Sequence, residues 1–214
     1  MSRAWAESRS VQLTTCRVHL HSLLAVLVIP LLQFLALGAL AQDRVVGQTH
    51  LPDSVLLDGQ TLHLNGAGLR TLLGFRVYVA GLYLPRSMQH PNQVLQESTL
   101  RRLQIILLRD AATEHNLDAL KGGLIDNNTP AELDAIKAEI DQFLALLRQV
   151  REVHKGTVIQ IDYLPGRGTR LIVDQQELGT VPGERFNRAL LKIWLGEDPI
   201  QLGLKRALLG QKNT

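Results

Sequence analysis

Apolar spacing changes period three times along this chain, and the order of those changes limits the folds open to it. Between Val55 and Leu107 the period is two. Val55, Leu57, Leu62 and Leu64 flank Asp58-Gly59, the strongest kind of short hairpin signal. The stretch "FRVYVAGLYL" sets Phe75, Val77 and Val79 against Arg76, Tyr78 and Ala80. "RRLQIILLRD", apolar with charge at both ends, reads as a central strand. From Thr113 the period becomes helical, with Leu117, Leu120, Leu124 and Ile125 on one face. Thr129, Pro130 and Glu132 then supply an N-cap, a first-turn proline and a capping box for a helix carrying Leu133, Ile136, Ile140, Phe143, Leu144 and Leu147. Period two returns in the hairpin "TVIQIDYLPGRGTRLIVDQQELGTV", and two helices follow, "GERFNRALLKIWLG" and "IQLGLKRALLG". Asn65-Gly66 with Gly68, and later Gly179, are expected at turns. Strands in runs and helices in runs predict a layered α+β domain and exclude a doubly wound parallel sheet.

The first 41 residues stand apart. Arg3, Arg9 and Arg17 precede the apolar run "LLAVLVIPLLQFLALGALAQ", and Ala39-Leu40-Ala41 has the small–x–small form of a signal-peptidase site. Residues 1–41 are therefore expected to be a signal peptide, with the domain at 42–214, a periplasmic or secreted location, and no stable membrane span after cleavage. The competing expectation is an uncleaved anchor helix. The only cysteine, Cys16, lies in the leader, so the domain has no disulfide and no thiolate metal site. Without Arg3, Arg9, Arg17 and Glu7, the 23 basic and 20 acidic residues become 20 and 19. A charge so close to neutral gives no sign of a nucleic-acid partner.

The sequence holds no Gly-x-Ser-x-Gly, no His-Glu-x-x-His and no P-loop. Its histidines lack ligand spacing, so no metal and no cofactor is expected. Asp126-Asn127-Asn128 reads as turn chemistry ahead of the capped helix. Arg70 is different: it follows the expected glycine turn and opens an apolar segment. A buried guanidinium needs a carboxylate from the protein or an anionic group from a ligand. Tyr78, placed with Arg76 on one face by strict alternation, adds a phenol that can bind a carboxylate or a polarised carbonyl.

"NGAGLRTLLGFRVYVAGLYLP", "GTVIQIDYLPGRGTRLIV" and "RFNRALLKIWLGEDPIQLGLKRALLG" together resemble the chalcone-isomerase superfamily, in order, from about Leu57 to Gly210. The nearest likeness is to bacterial chalcone isomerase-like proteins with export signals. The resemblance implies a large antiparallel sheet with a layer of helices enclosing a cleft. It also implies that Arg70 matches the arginine of the Gly-x-Gly-x-Arg segment, and Tyr78 the position of the enzymes' carbonyl-polarising threonine. In the fatty-acid-binding relatives, an arginine and a tyrosine grip a carboxylate. Where the enzymes carry a further polar residue on a late helix, this chain has Ile193.

Three functions follow as expectations. The first is a non-catalytic protein binding an amphipathic carboxylate such as a fatty acid. Arg70 and Tyr78 would hold the head group, and Val77, Val79, Ile105 and Leu107 would line the tail. The second is an envelope scaffold. The third is an intramolecular lyase acting on a chalcone-like enone, with Arg70 and Tyr78 as its catalytic groups.

Overall fold

The computed structural model describes residues 43–150 and 152–211; the expected signal peptide lies outside them. A short hairpin, β1 (Asp43–Val46) with β2 (Thr49–Pro52), precedes the main sheet. That sheet is built from β3 (Ser54–Leu57), β4 (Gln60–Leu72), β5 (Phe75–Leu84), β6 (Arg101–Leu107), β9 (Val158–Leu164), β10 (Gly168–Val173) and β11 (Gln176–Val181). Its order is β11–β10–β9–β6–β5–β4–β3, antiparallel at every pairing, with β6 at the centre as its charge-bounded apolar run predicts. Two-residue strands β7 (Ala111–Ala112) and β8 (Glu152–Val153) pair with each other. The helices are α1 (Pro91–Gln96), α2 (Thr113–Asn127), α3 (Pro130–Asp134), α4 (Lys137–Arg148), α5 (Glu184–Leu195) and α6 (Leu202–Leu208). Among the described residues no helix is long and apolar enough to cross a membrane.

The sheet has two unlike faces. Residues directly opposite across a ladder share a face, so Tyr78, Ala80 and Leu82 of β5 lie with Leu107, Ile105 and Leu103 of β6. Ile159 and Ile161 of β9 continue the row to Val173 and Leu171 of β10. These side chains form the main core with Phe186, Leu190, Ile193 and Trp194 of α5, Leu124 of α2, Phe143 of α4, and Leu204 and Leu208 of α6. On the opposite face Tyr83 packs with Leu57, Leu62 and Leu164. There Asp162, fully buried, binds two cations: Arg102 at 2.6 Å and Arg170 at 3.0 Å.

Several glycines serve packing where turns were expected. Asn65-Gly66 and Gly68 do not break the strand: β4 continues to Leu72 and turns at Leu73-Gly74, with φ of 50° and 82°. A methyl group on Gly66 would collide with the Ala207 and Leu208 carbonyls of α6, and one on Gly68 would lie 2.7 Å from the Ala207 methyl. The two glycines let α6 lie directly on β4. Asn65 is bulged out of the β4–β5 ladder, and its Nδ2 donates to the Leu208 carbonyl at 2.8 Å and the Met88 carbonyl at 3.0 Å. Gly179 likewise sits inside β11, against Leu146 of α4; the turn is at Asp174-Gln175, where both residues have positive φ.

Helical expectations hold with two changes. Thr129 and Glu132 form the reciprocal capping box, but the helix breaks at Ile136 (φ −127°) into α3 and α4. Ile125 is exposed, because α2 approaches α5 through Gly123, which faces Ile193. The turn expected at Asp126-Asn127-Asn128 is not formed: Asp126 and Asn127 are the last residues of α2 and Asn128 is its extended C-cap. The Asn127 and Asn128 amides donate back to the Gly123 and Leu124 carbonyls at 3.0 and 2.9 Å.

Three stability tests follow. Gly66→Ala is expected to cost about 1–3 kcal/mol in urea unfolding, as overpacking does. Gly122→Ala, in α2 with open space around it, is expected to gain about 0.5–1 kcal/mol. Glu132 is held below the ordinary glutamate range by the Thr129 backbone N–H and by Lys192. Its contribution is therefore complete above the unfolded-state value and fades as pH falls through the folded one. Glu132→Gln should lower neutral-pH stability by up to about 1 kcal/mol, since the pair is exposed. Once pH is below the lowered folded-state value as well, the variant and the parent should unfold alike.

Candidate ligand-binding site

The Gly-x-Gly-x-Arg segment presents three successive residues of one strand face. Gly66 stands opposite Leu82, Gly68 opposite Ala80, and Arg70 opposite Tyr78. The first two accept α6. The third meets the N-terminal end of that helix, where Gln201 is the N-cap. Gln201 Oε1 accepts from the Thr71 backbone N–H at 2.9 Å and from Arg70 Nη1 at 3.2 Å; Gln201 Nε2 donates to the Leu69 carbonyl at 3.4 Å. Arg70 Nη1 also donates to the Thr71 carbonyl at 2.5 Å. Every acceptor on this half-buried guanidinium is neutral. Among the described residues no carboxylate pairs with Arg70, whereas Arg86, Arg102, Arg167, Arg170 and Arg188 all have one.

Tyr78, across the ladder, accepts a hydrogen bond from Trp194 Nε1 of α5 at 3.0 Å. Burial pushes its phenol up to about 12, against the lowering effects of the Trp194 hydrogen bond and the Arg70 charge. The hydroxyl therefore stays protonated at neutral pH. With one lone pair taken by Trp194, its proton is free for an acceptor lying towards Arg70.

Tyr78 and Trp194 also line an apolar cavity of about 120 Å³, walled by Ile105, Leu107, Ile159, Ile161 and Leu171 from the sheet and by Leu120, Phe143, Leu147 and Ile193 from the helices. Asn116 of α2 and Ile200, the neighbour of Gln201, complete its rim. Of the four residues expected to line a tail, Ile105 and Leu107 do so. Val77 and Val79 do not. Val79 alternates with Tyr78 in unbroken register and so faces the other side of the sheet. Val77 is the extra residue where the ladder shifts between Arg70 and Thr71, and one extra residue reverses the parity of everything before it. Arg76 leaves the face of Tyr78 and reaches the β1–β2 turn beside Gly47.

A second guanidinium lies at the far end of the same face. Arg101, at the start of β6 and 3 % exposed, was not singled out by the sequence. Six residues separate it from Leu107, or roughly 20 Å along a strand. Its Nε donates to Asn187 Oδ1 at 2.9 Å, and its Nη1 donates to the Val94 carbonyl and, at 3.0 Å, to the Glu97 carbonyl at the end of α1. The guanidinium sits 4.4 Å above the Tyr163 ring. Burial draws its pKa down to about 10, so it remains a cation. Its Nη2 has no partner among the described residues, but the adjoining void, about 10 Å³, is large enough only for a water. Arg101 ties α1 and α5 to the sheet.

A larger groove of about 360 Å³ between α3 and α5 is lined by both signs of charge, and Arg188 and Lys192 there are already paired with Glu184 and Glu132. It has neither the apolar lining nor the unpaired charge of the site at Arg70.

Residues 43–210 match the family described as chalcone isomerase-like. Among solved structures, the crystal structure of a fatty-acid binding protein from Arabidopsis thaliana is similar, with a TM-score of 0.60 and 15 % sequence identity. The match covers 78 % of this chain and 96 % of that one. At that identity the likeness is one of fold. No curated protein matches.

Proposed function

The chain belongs to the chalcone isomerase-like family, and on that footing we propose that it binds an amphipathic carboxylate of the fatty-acid type without transforming it. The observation that carries this reading is an arginine with only neutral acceptors, paired across the ladder with a protonated tyrosine that lines an apolar cavity. A carboxylate oxygen can accept from Arg70 and from the Tyr78 hydroxyl together, while the acyl chain enters between the sheet and the helices. The similar Arabidopsis protein is a fatty-acid binding protein, which agrees with this choice of ligand. The leader extends the proposal to an exported protein that meets its ligand in the periplasm or outside the cell.

Binding is favoured over isomerisation by the chemistry of the lining. Stereospecific ring closure of an enone needs the substrate held in a reactive geometry by several polar groups together. This site offers Arg70 and Tyr78, and the cavity beside them is walled almost wholly by apolar side chains, Ile193 among them.

The cavity sets limits on the ligand. At about 120 Å³ it is smaller than the roughly 300–1,000 Å³ of typical ligand pockets. Long tails therefore need the helical cover to open, and Leu120 and Leu147, on α2 and α4, are half-buried parts of its lining.

Titration calorimetry with saturated carboxylates of increasing length tests the proposal. Affinity is expected to rise by up to about fourfold per methylene, the equivalent of 0.8 kcal/mol, until the cover limits it. Arg70→Ala should weaken binding roughly 10- to 100-fold, as loss of charged hydrogen bonds does, and Tyr78→Phe about fivefold. Failure of every chain length to bind, or Arg70→Ala binding as tightly as the parent, would overturn the reading.

A further inference from the structure

The turn between β4 and β5 is built against the interests of folding. Leu73 sits at φ 50° and is 89 % exposed. Two-residue hairpin turns of this kind take Asn, Asp or Gly at that position. A leucine there strains the backbone, because its Cβ crowds the following carbonyl, and with its side chain in solvent no packing offsets it. Its neighbours are exposed and apolar too: Leu72 at 44 % and Phe75 at 62 %. Leu202, beside the Gln201 that binds Thr71, adds a fourth at 54 %.

Cations surround this tip. Arg109 lies 5.3 Å from the Phe75 ring centroid, and Arg76 and Arg70 stand behind the turn. Arg76 and Arg109 have no carboxylate partner among the described residues. The nearby Asp110 is turned to the Lys155 backbone N–H at 2.7 Å and to His154 at 3.8 Å. Glu114, in the first turn of α2, is the other acid close by. The tip also lies near the Tyr78 end of the cavity: Tyr78 is three residues into β5 from Phe75, and Leu107 is two before Arg109.

We propose that this tip docks on an anionic lipid surface, with Leu72, Leu73, Phe75 and Leu202 in the interfacial layer and Arg76 and Arg109 against headgroup phosphates. A convex wedge of four apolar side chains is too small for a stable protein interface, which needs roughly 20–30 residues a side. Apolar residues flanked by arginines suit the bilayer interface, which solvates both. The inference deepens the ligand reading by setting the Tyr78 end of the cavity toward the membrane that supplies or receives the carboxylate, but docking itself requires no ligand.

The test uses full-length protein with Cys16→Ser and a single new cysteine, Leu73→Cys or, as control, the exposed α2 position Ile125→Cys, each carrying an environment-sensitive fluorophore. Fatty-acid-free vesicles of phosphatidylcholine, with or without phosphatidylglycerol, are titrated in. A blue shift and brightening at position 73, with anionic vesicles only and absent at position 125, is the expected result. Arg76→Ser and Arg109→Ser should each weaken it about fivefold, the value of one basic residue near an anionic surface. No shift at 73, an equal shift at both positions, or indifference to lipid charge overturns the proposal. Because no carboxylate ligand is present, that outcome is distinct from failure of the calorimetric test.

Discussion

A guanidinium held by dipoles instead of a carboxylate is the feature on which the rest of this structure turns. Leaving a charge partly out of water without a counter-ion is costly; on the opposite face of the sheet the fold avoids that cost with a carboxylate, and at Arg101 it meets it with carbonyls, an amide and an aromatic ring. Arg102 and Arg170 share the buried Asp162 on the opposite face of the sheet. At Arg70 the available acceptors are the Gln201 amide and the Thr71 carbonyl, which orient the side chain without neutralising it. The positive charge is left for a guest, and the field it creates already acts on the Tyr78 phenol.

The position of that charge is a consequence of packing. Gly66 and Gly68 bring α6 onto β4, and the next residue on the same face must meet the start of the helix. Arg70 is thus fixed by the same contact that closes one end of the core. Arg101, at the other end of the face, shows what a structural arginine looks like here. It is deeply buried, spread over two helix carbonyl ends and an asparagine, and stacked on an aromatic ring. Between the two arginines the face is wholly apolar, which gives the cleft one wet end and one sealed end.

Much of this was legible in the sequence, for physical reasons that also explain the misses. Period-two and helical spacing located the strands and helices because burial on one face imposes those periods directly. Arg70 stood out because a charge in an apolar setting needs a partner. The glycines misled: local turn chemistry and close helix approach both select glycine, and only the long-range position of α6 separates them. Parity failed at Val77, where one extra residue in the ladder moved Arg76 off the face of Tyr78, whereas Val79 never shared that face, because it alternates with Tyr78. Gln201 and Trp194, which position Arg70 and Tyr78, lie more than 110 residues away in sequence. Nothing local marks a glutamine before a helix or a tryptophan on an apolar face as belonging to a site.

The most direct test is a crystal structure of the protein with decanoate bound. The carboxylate is expected between the Arg70 guanidinium and the Tyr78 hydroxyl, with Trp194 still donating to Tyr78 and the tail running toward Ile161 and Leu171. A carboxylate seated at Arg101, or a tail lying outside the sheet–helix cavity with Arg70 facing solvent, would contradict the proposed role of Arg70.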